Sequence, residues 1–121
     1  MPPLTRSFRD ALRGIATTFR TERSFRIQVA VGVVVLALLS MFPLESWERA
    51  ILVLVVTLVL VLELVNSSLE RLVDLAKPRL HSYAGEIKDV MAGGVLVASI
   101  GAVILGLMIL GPHFITILQR V

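Results

Sequence analysis

"LELVNSSLERLVD", residues 62–74, decides what kind of protein this is. It completes an apolar run, "AILVLVVTLVLVL", that begins at Ala50 and carries no charge until Glu63. Asn66 and Glu70 follow at spacings of three and seven. On a helix those three side chains share one face. Glu70 lies about 10 Å from Glu63 along the axis, and Asp74 continues the line toward the helix end. A carboxylate at membrane depth costs a few kcal/mol, so Glu63 requires either a good structural partner or a function.

Two further runs flank this one. "IQVAVGVVVLALLSMF" extends from Ile27 to Phe42 and stops at Pro43; "VMAGGVLVASIGAVILGLMILG" extends from Val90 to Gly111 and stops at Pro112. About 20 mostly apolar residues cross the hydrocarbon as a helix. The first run reaches that length if Phe25 joins it and Arg26 snorkels toward the headgroups. Of the 121 residues, 56% are hydrophobic, and the mean hydropathy is +0.88, which is too apolar for an ordinary soluble domain of this size. Cysteine is absent, which removes a disulfide framework, a thiolate nucleophile and a cysteine metal site. About 26 mostly polar residues precede the first run and no small-residue cleavage site follows it, so a signal peptide is not expected.

Charge placement sets a topology. Arg6, Arg9, Arg13, Arg20, Arg23 and Arg26 precede the first run, and Arg71, Lys77, Arg79 and Lys88 lie between the second and third. The first connection, "PLESWER", carries Glu45 and Glu48 against Arg49. Cationic segments stay cytoplasmic, so the N-terminus is expected inside and the C-terminus outside, with only Arg120 running against this. Trp47 is expected at the outer interface.

Residues 4–20, "LTRSFRDALRGIATTFR", place Leu4, Phe8, Leu12, Ile15 and Phe19 at helical steps, with arginines between them. A basic amphipathic helix of this kind lies in a membrane surface; the alternative is a solvated helix packed on the protein's own loops. The expected fold is all-α and integral to the membrane: an N-terminal amphipathic surface helix within residues 1–24 and three transmembrane helices at 25–43, 48–75 and 85–111, forming one domain.

The third run supplies partners for the polar stripe. "EIKDVMAGGV" places Lys88 and Asp89 at its start, followed by Ala92, Gly93 and Gly94, small residues that allow close helix approach. If the second and third spans are antiparallel neighbours, Lys88 and Asp89 reach the level of Asn66 and Glu70. Glu22, just before the first span, is expected near that level. Carboxylates with a lysine suit a magnesium nucleotide, the acids holding the metal and the cation offsetting phosphate charge. No GxxxxGK[ST] or GxGxxG loop is present, so such a site is unconventional. Taken singly, these residues have plainer readings: Glu63 as an interhelical hydrogen bond, Asn66 with Ser67 and Ser68 as packing contacts, Lys88 and Asp89 as a helix-start pair.

"ELVNSSLERLVD" followed by "HSYAGEIKDVMAGGV" resembles the signature of the small prokaryotic diacylglycerol kinase family, which includes the undecaprenol kinases of Gram-positive bacteria. The resemblance covers the chain from about Arg6 to Pro112, with Ile87 departing from the usual Ala before Lys-Asp. It implies a homotrimer in a bacterial inner membrane, with active sites shared between subunits. It also implies transfer of the ATP γ-phosphoryl group to a lipid hydroxyl with Mg²⁺, and no nucleic-acid partner. By position, Glu63 corresponds to the catalytic carboxylate and Glu22 and Glu70 to the metal-binding pair. Asn66, Lys88 and Asp89 correspond to polar members of the site; His81 and, through a looser match, Arg6 correspond to nucleotide contacts. "RGI…RTERSF" and "AGGV" lean toward undecaprenol as acceptor, with diacylglycerol the alternative.

A small proton-coupled exporter, with Glu63 as proton carrier, is the competing class. The acids and Lys88 gather at one end, whereas alternating access places its site near the midplane. A single subunit has few walls with which to screen Glu63 from lipid, which is a second reason to expect an oligomer.

Overall fold

The computed structural model of the chain describes residues 3–80 and 82–121. Four helices follow one another: α1 (Pro3–Thr21), α2 (Arg23–Met41), α3 (Ser46–Leu80) and α4 (Tyr83–Arg120). Three of them, α2, α3 and α4, are long and apolar enough to cross a membrane. The protein is an all-helical, multi-pass membrane protein. The driving term inside lipid is close side-chain packing rather than water exclusion, and this explains how much apolar surface stays exposed, from Ile27 on α2 to Leu118 on α4.

α1 and α2 are separated by one residue. Glu22 is extended, at φ −112° and ψ 111°, and turns the chain from the basic helix into the first apolar one. Arg26 secures that corner: its Nη1 donates to the carbonyls of Phe19 at 2.9 Å and Arg20 at 3.0 Å. The guanidinium therefore satisfies two of the last carbonyls of α1, which a helix end leaves unpaired. Phe19 and Phe25 pack edge to face across the same corner, with ring centroids 6.5 Å apart.

α3 is the axis of the bundle. It packs against α2, α4 and α1, whereas α2 and α4 do not meet backbone to backbone among the described residues. Its buried positions, Leu52, Val59, Glu63, Ser67 and Val73, recur at helical spacing along one face. At the end near Trp47, Leu39, Phe42, Leu44, Leu52, Ile109 and Leu110 form the one apolar core cluster of the described residues. Arg49 closes α2 there, donating from Nε to the Leu39 carbonyl at 3.3 Å and from Nη2 to the Phe42 carbonyl at 3.4 Å. Trp47 is exposed, and its Nε1 donates to Glu45 Oε2 at 2.8 Å.

Lengths differ in a way that matters for the site. α2 has 19 residues and α3 has 35. At 1.5 Å per residue these are about 28 and 52 Å, so α3 overhangs α2 at the end where α1 lies. α4 passes through Pro112 to Arg120 instead of stopping at that proline. Proline removes one donor and pushes against the preceding turn, a local cost this helix accommodates. The Thr116 hydroxyl donates to the Pro112 carbonyl at 2.9 Å one turn further on.

Candidate active site

The polar stripe of α3 meets the α1–α2 corner. Ser24, in the first turn of α2, donates from Oγ to Glu63 Oε2 at 3.3 Å. One helical turn further toward the α1 end, Ser67 donates to Glu22 Oε1, also at 3.3 Å. On α3 itself Asn66 Nδ2 donates to Glu70 Oε1 at 3.2 Å. Arg71 Nη2 donates to the Thr21 hydroxyl at 3.0 Å, fixing the end of α1 against the overhanging part of α3. Three acids thus gather, Glu22 from the α1–α2 corner and Glu63 and Glu70 from two successive turns of α3, and both Glu22 and Glu70 are near enough to Glu63 to act on it electrostatically.

Glu63 is only 6% exposed within a single chain. Screening it from lipid does not require a neighbouring subunit, contrary to the sequence-based expectation: α2 crosses over it at Ser24, because the break at Glu22 lets the two helices converge there. Ser67 is 3% exposed, so its bond to Glu22 is also enclosed.

α4 contributes from the other side. Lys88 forms an ion pair with Asp74 and also lies within electrostatic reach of Glu70. It therefore sits about two turns nearer the α1 end than the level of Asn66. Asp89, its neighbour, is exposed. Arg6 is exposed as well, about 22 Å along α1 from Thr21 at 1.5 Å per residue. His81 lies outside the described residues. One chain therefore brings together Glu22, Glu63, Asn66, Glu70 and Lys88, but not Arg6 or Asp89.

Of the other members of the cluster, Ser24 was not singled out by sequence and Ser67 was read only as a packing contact. Ser67 had a legible signal, since it lies four residues after Glu63 and so on the same face. Ser24 had none, because its role depends on how α2 is rotated against α3.

The donor set suits a hard cation. Asn66 Oδ1 is buried and has no hydrogen-bond partner, an orphaned oxygen beside the Glu70 carboxylate. Buried acceptors are rarely left so, and oxygens of this kind, with carboxylates, are what Mg²⁺ takes. No group of three or more acids or histidines poised to hold a metal occurs among the described residues. Mg²⁺ commonly makes do with one or two carboxylates, its other positions being filled by water and substrate phosphates. Glu22 and Glu70 with Asn66 Oδ1 fit that pattern.

A groove of about 600 Å³ opens beside the cluster, under α1. Leu12, Ile15 and Phe19 of α1, Phe25 of α2, and Leu60 and Leu64 of α3 line it. Phe25 follows Ser24 in sequence, and Leu60 and Leu64 bracket Glu63 on α3. The groove thus runs along sequence neighbours of Ser24 and Glu63, on the flank of α3 next to the face that carries the carboxylate.

Comparison with known proteins gives this chain its family. Residues 9–110 match the family model described as prokaryotic diacylglycerol kinase. A diacylglycerol kinase of Synechocystis sp. is 42% identical over 118 residues, covering 97% of this chain and 67% of that protein. The undecaprenol kinase of Bacillus subtilis is 37% identical over 107 residues, covering 88% and 87%. The diacylglycerol kinase of Escherichia coli is 28% identical over 102 residues, covering 84% of each. The chain belongs to the prokaryotic diacylglycerol kinase family and is a lipid kinase.

Proposed function

We propose that this protein transfers the γ-phosphoryl group of ATP to the hydroxyl of a membrane lipid alcohol, with Glu63 as general base. The supporting observation is a buried carboxylate held by Ser24 on the same face of α3 as Asn66 and Glu70, with Glu22 one turn away on Ser67 and an apolar groove along the neighbouring residues of α3. Glu63 takes the hydroxyl proton as the lipid oxygen bonds to the γ-phosphorus, and the bond from that phosphorus to the bridging oxygen breaks to release ADP. Glu22 and Glu70 hold Mg²⁺, with Asn66 Oδ1 beside them. When bound, the metal neutralises charge on the phosphates. Lys88 leaves Asp74 for a phosphate oxygen. Phosphoryl transfer demands positioning and charge neutralisation more than covalent help, which is what these residues supply.

Undecaprenol is the proposed acceptor, on the resemblance of residues 13–25 and 92–95 to that branch. Diacylglycerol is the second reading, and the 42% identity to a diacylglycerol kinase favours it. The protein sits in the bacterial inner membrane with its N-terminus and the Glu22–Glu70 cluster cytoplasmic, its C-terminus outside, and α1 in the membrane surface over the groove. That orientation rests on arginine and lysine placement.

The working unit is a homotrimer with shared sites. Leu54, Leu58, Val61, Val65 and Leu72 are all exposed on α3 at alternating steps of four and three, with Ser68 filling the remaining place. That heptad spacing suits α3 helices packed on one another. A second copy then supplies groups such as Arg6 and Asp89, which one chain leaves apart from the cluster.

A panel of lipid alcohols with labelled ATP in mixed micelles tests the reading. Undecaprenol is expected to be phosphorylated in preference to diacylglycerol. Preference for diacylglycerol replaces the acceptor, and no transfer to any lipid alcohol overturns the function.

A further inference from the structure

A second apolar space lies on the opposite side of the α2–α3 seam, between α2 and α4. It is a slot of about 430 Å³, lined by Val31 and Val35 of α2, Val55 and Val56 of α3, and Ala102 and Gly106 of α4. The groove under α1 shares none of its lining residues. Between the two, α2 and α3 are in tight contact: a Cβ added at Gly32 would stand 3.0 Å from Val56 Cγ1.

Both ends of the slot are bridged. Gln28 Nε2 donates to the Ser99 hydroxyl at 3.4 Å at one end. At the other, Phe42 stacks on His113 at 5.9 Å between centroids and meets Phe114 edge to face at 5.0 Å. Gln28 to Phe42 and Ser99 to His113 are the same number of residues apart, so each bridge joins equivalent levels of two parallel helices. The distance between bridges is about 21 Å at 1.5 Å per residue.

We infer that this slot holds the hydrocarbon tail of a membrane phospholipid, separate from the acceptor in the groove under α1. A helix, about 10 Å across with its side chains, cannot enter between two helices pinned together at both ends. A single tail can. The slot is longer than half of a hydrocarbon core about 30 Å thick, so it accepts the whole tail of one leaflet. Its lining is apolar except for Gln28 and Ser99, which sit at one end only, where a glycerol ester meets its tail. α4 keeps the space open with small side chains. A Cβ added at Gly106 meets nothing within 4 Å, so this glycine does not serve a close approach within the chain.

Photolabelling tests this without using ATP. The protein is placed in bilayers of phosphatidylcholine doped with phosphatidylcholine carrying a diazirine midway along one tail, irradiated, and the label mapped by mass spectrometry. Label on Val31, Val35 and Ala102 is expected several-fold above that on Val33 and Leu96, which are exposed but outside the slot. Gly106→Leu, whose side chain grows into open space, is expected to remove most of the slot label and leave Val33 unchanged. Equal label at slot and control positions overturns the inference, as does slot label indifferent to Gly106→Leu. A disulfide between copies of Val103→Cys also overturns it, assigning the slot to a second chain.

Discussion

The hydroxyl of Ser24 donates to Oε2 of Glu63 across 3.3 Å, tying the first turn of α2 to the middle of α3. This contact orients the one buried carboxylate of the described residues and places it under the α1–α2 corner. Ser24→Ala removes it while leaving the metal-binding acids in place. A single hydrogen bond of this length contributes about 1 kcal/mol, so turnover is expected to fall about fivefold. The ATP KM should be unchanged, and Ser24→Thr should restore much of the rate. Steady-state kinetics on the three proteins checks this, and an unaltered rate in Ser24→Ala removes Ser24 from the site.

Metal dependence separates Glu22 and Glu70 from Glu63. Glu22→Gln and Glu70→Gln each remove a charged oxygen donor while preserving shape. The Mg²⁺ concentration for half-maximal activity is expected to rise about tenfold, equivalent to about 1.4 kcal/mol. Chelation of Mg²⁺ should abolish turnover in the parent protein. Mg²⁺ titration of both variants makes the comparison, and parental curves from both would dismiss the metal assignment.

The proposed sharing of sites between subunits makes a prediction from which residues one chain gathers. Glu63 and Glu70 lie in one cluster on one chain, linked to each other electrostatically, whereas Asp89 faces outward. At a Mg²⁺ concentration too low to support Glu70→Gln, mixed trimers of Glu63→Gln with Glu70→Gln should therefore show no gain over either parent. Mixed trimers of Glu63→Gln with Asp89→Asn should recover activity, because an intact cluster on one chain meets an intact Asp89 on the next. Recovery in the first mixture and none in the second would reverse the assignment.

The α2–α3 seam has its own test. A side chain at Gly32 must push Val56, since even a Cβ stands 3.0 Å from Val56 Cγ1. Gly32→Leu is expected to cost about 1–3 kcal/mol through overpacking. Gly94→Ala, where a Cβ meets nothing within 4 Å, should be neutral or slightly stabilising through helix propensity. Thermal unfolding in detergent distinguishes them; equal midpoints would mean the seam is looser than described.

Much of this architecture was legible beforehand, for identifiable reasons. Three apolar runs announce three spans, because lipid leaves a crossing backbone little choice but a helix. The alignment of Glu63, Asn66 and Glu70 followed from 3.6 residues per turn alone. What stayed hidden depends on how helices are rotated and where they bend. Ser24 and Arg26 are ordinary residues in sequence; one becomes the partner of Glu63 and the other caps α1, only because the chain breaks at Glu22. The enclosure of Glu63 within one chain has the same cause. α4 runs on through Pro112 to Arg120, although a proline after an apolar run reads in sequence as a stop.

Glu63 carries the central claim, and one paired measurement reaches it most directly: ATP affinity and phospholipid formation on the same Glu63→Gln preparation. Glutamine keeps the shape and can still accept the Ser24 hydrogen bond, but it cannot take a proton. Folding and ATP binding should survive, since Glu70 lies about 10 Å away along α3. Product formation should fall by a factor of about 10²–10⁴, the usual worth of a positioned general base. Normal ATP affinity with normal product formation would contradict the account and return Glu63 to a structural hydrogen bond.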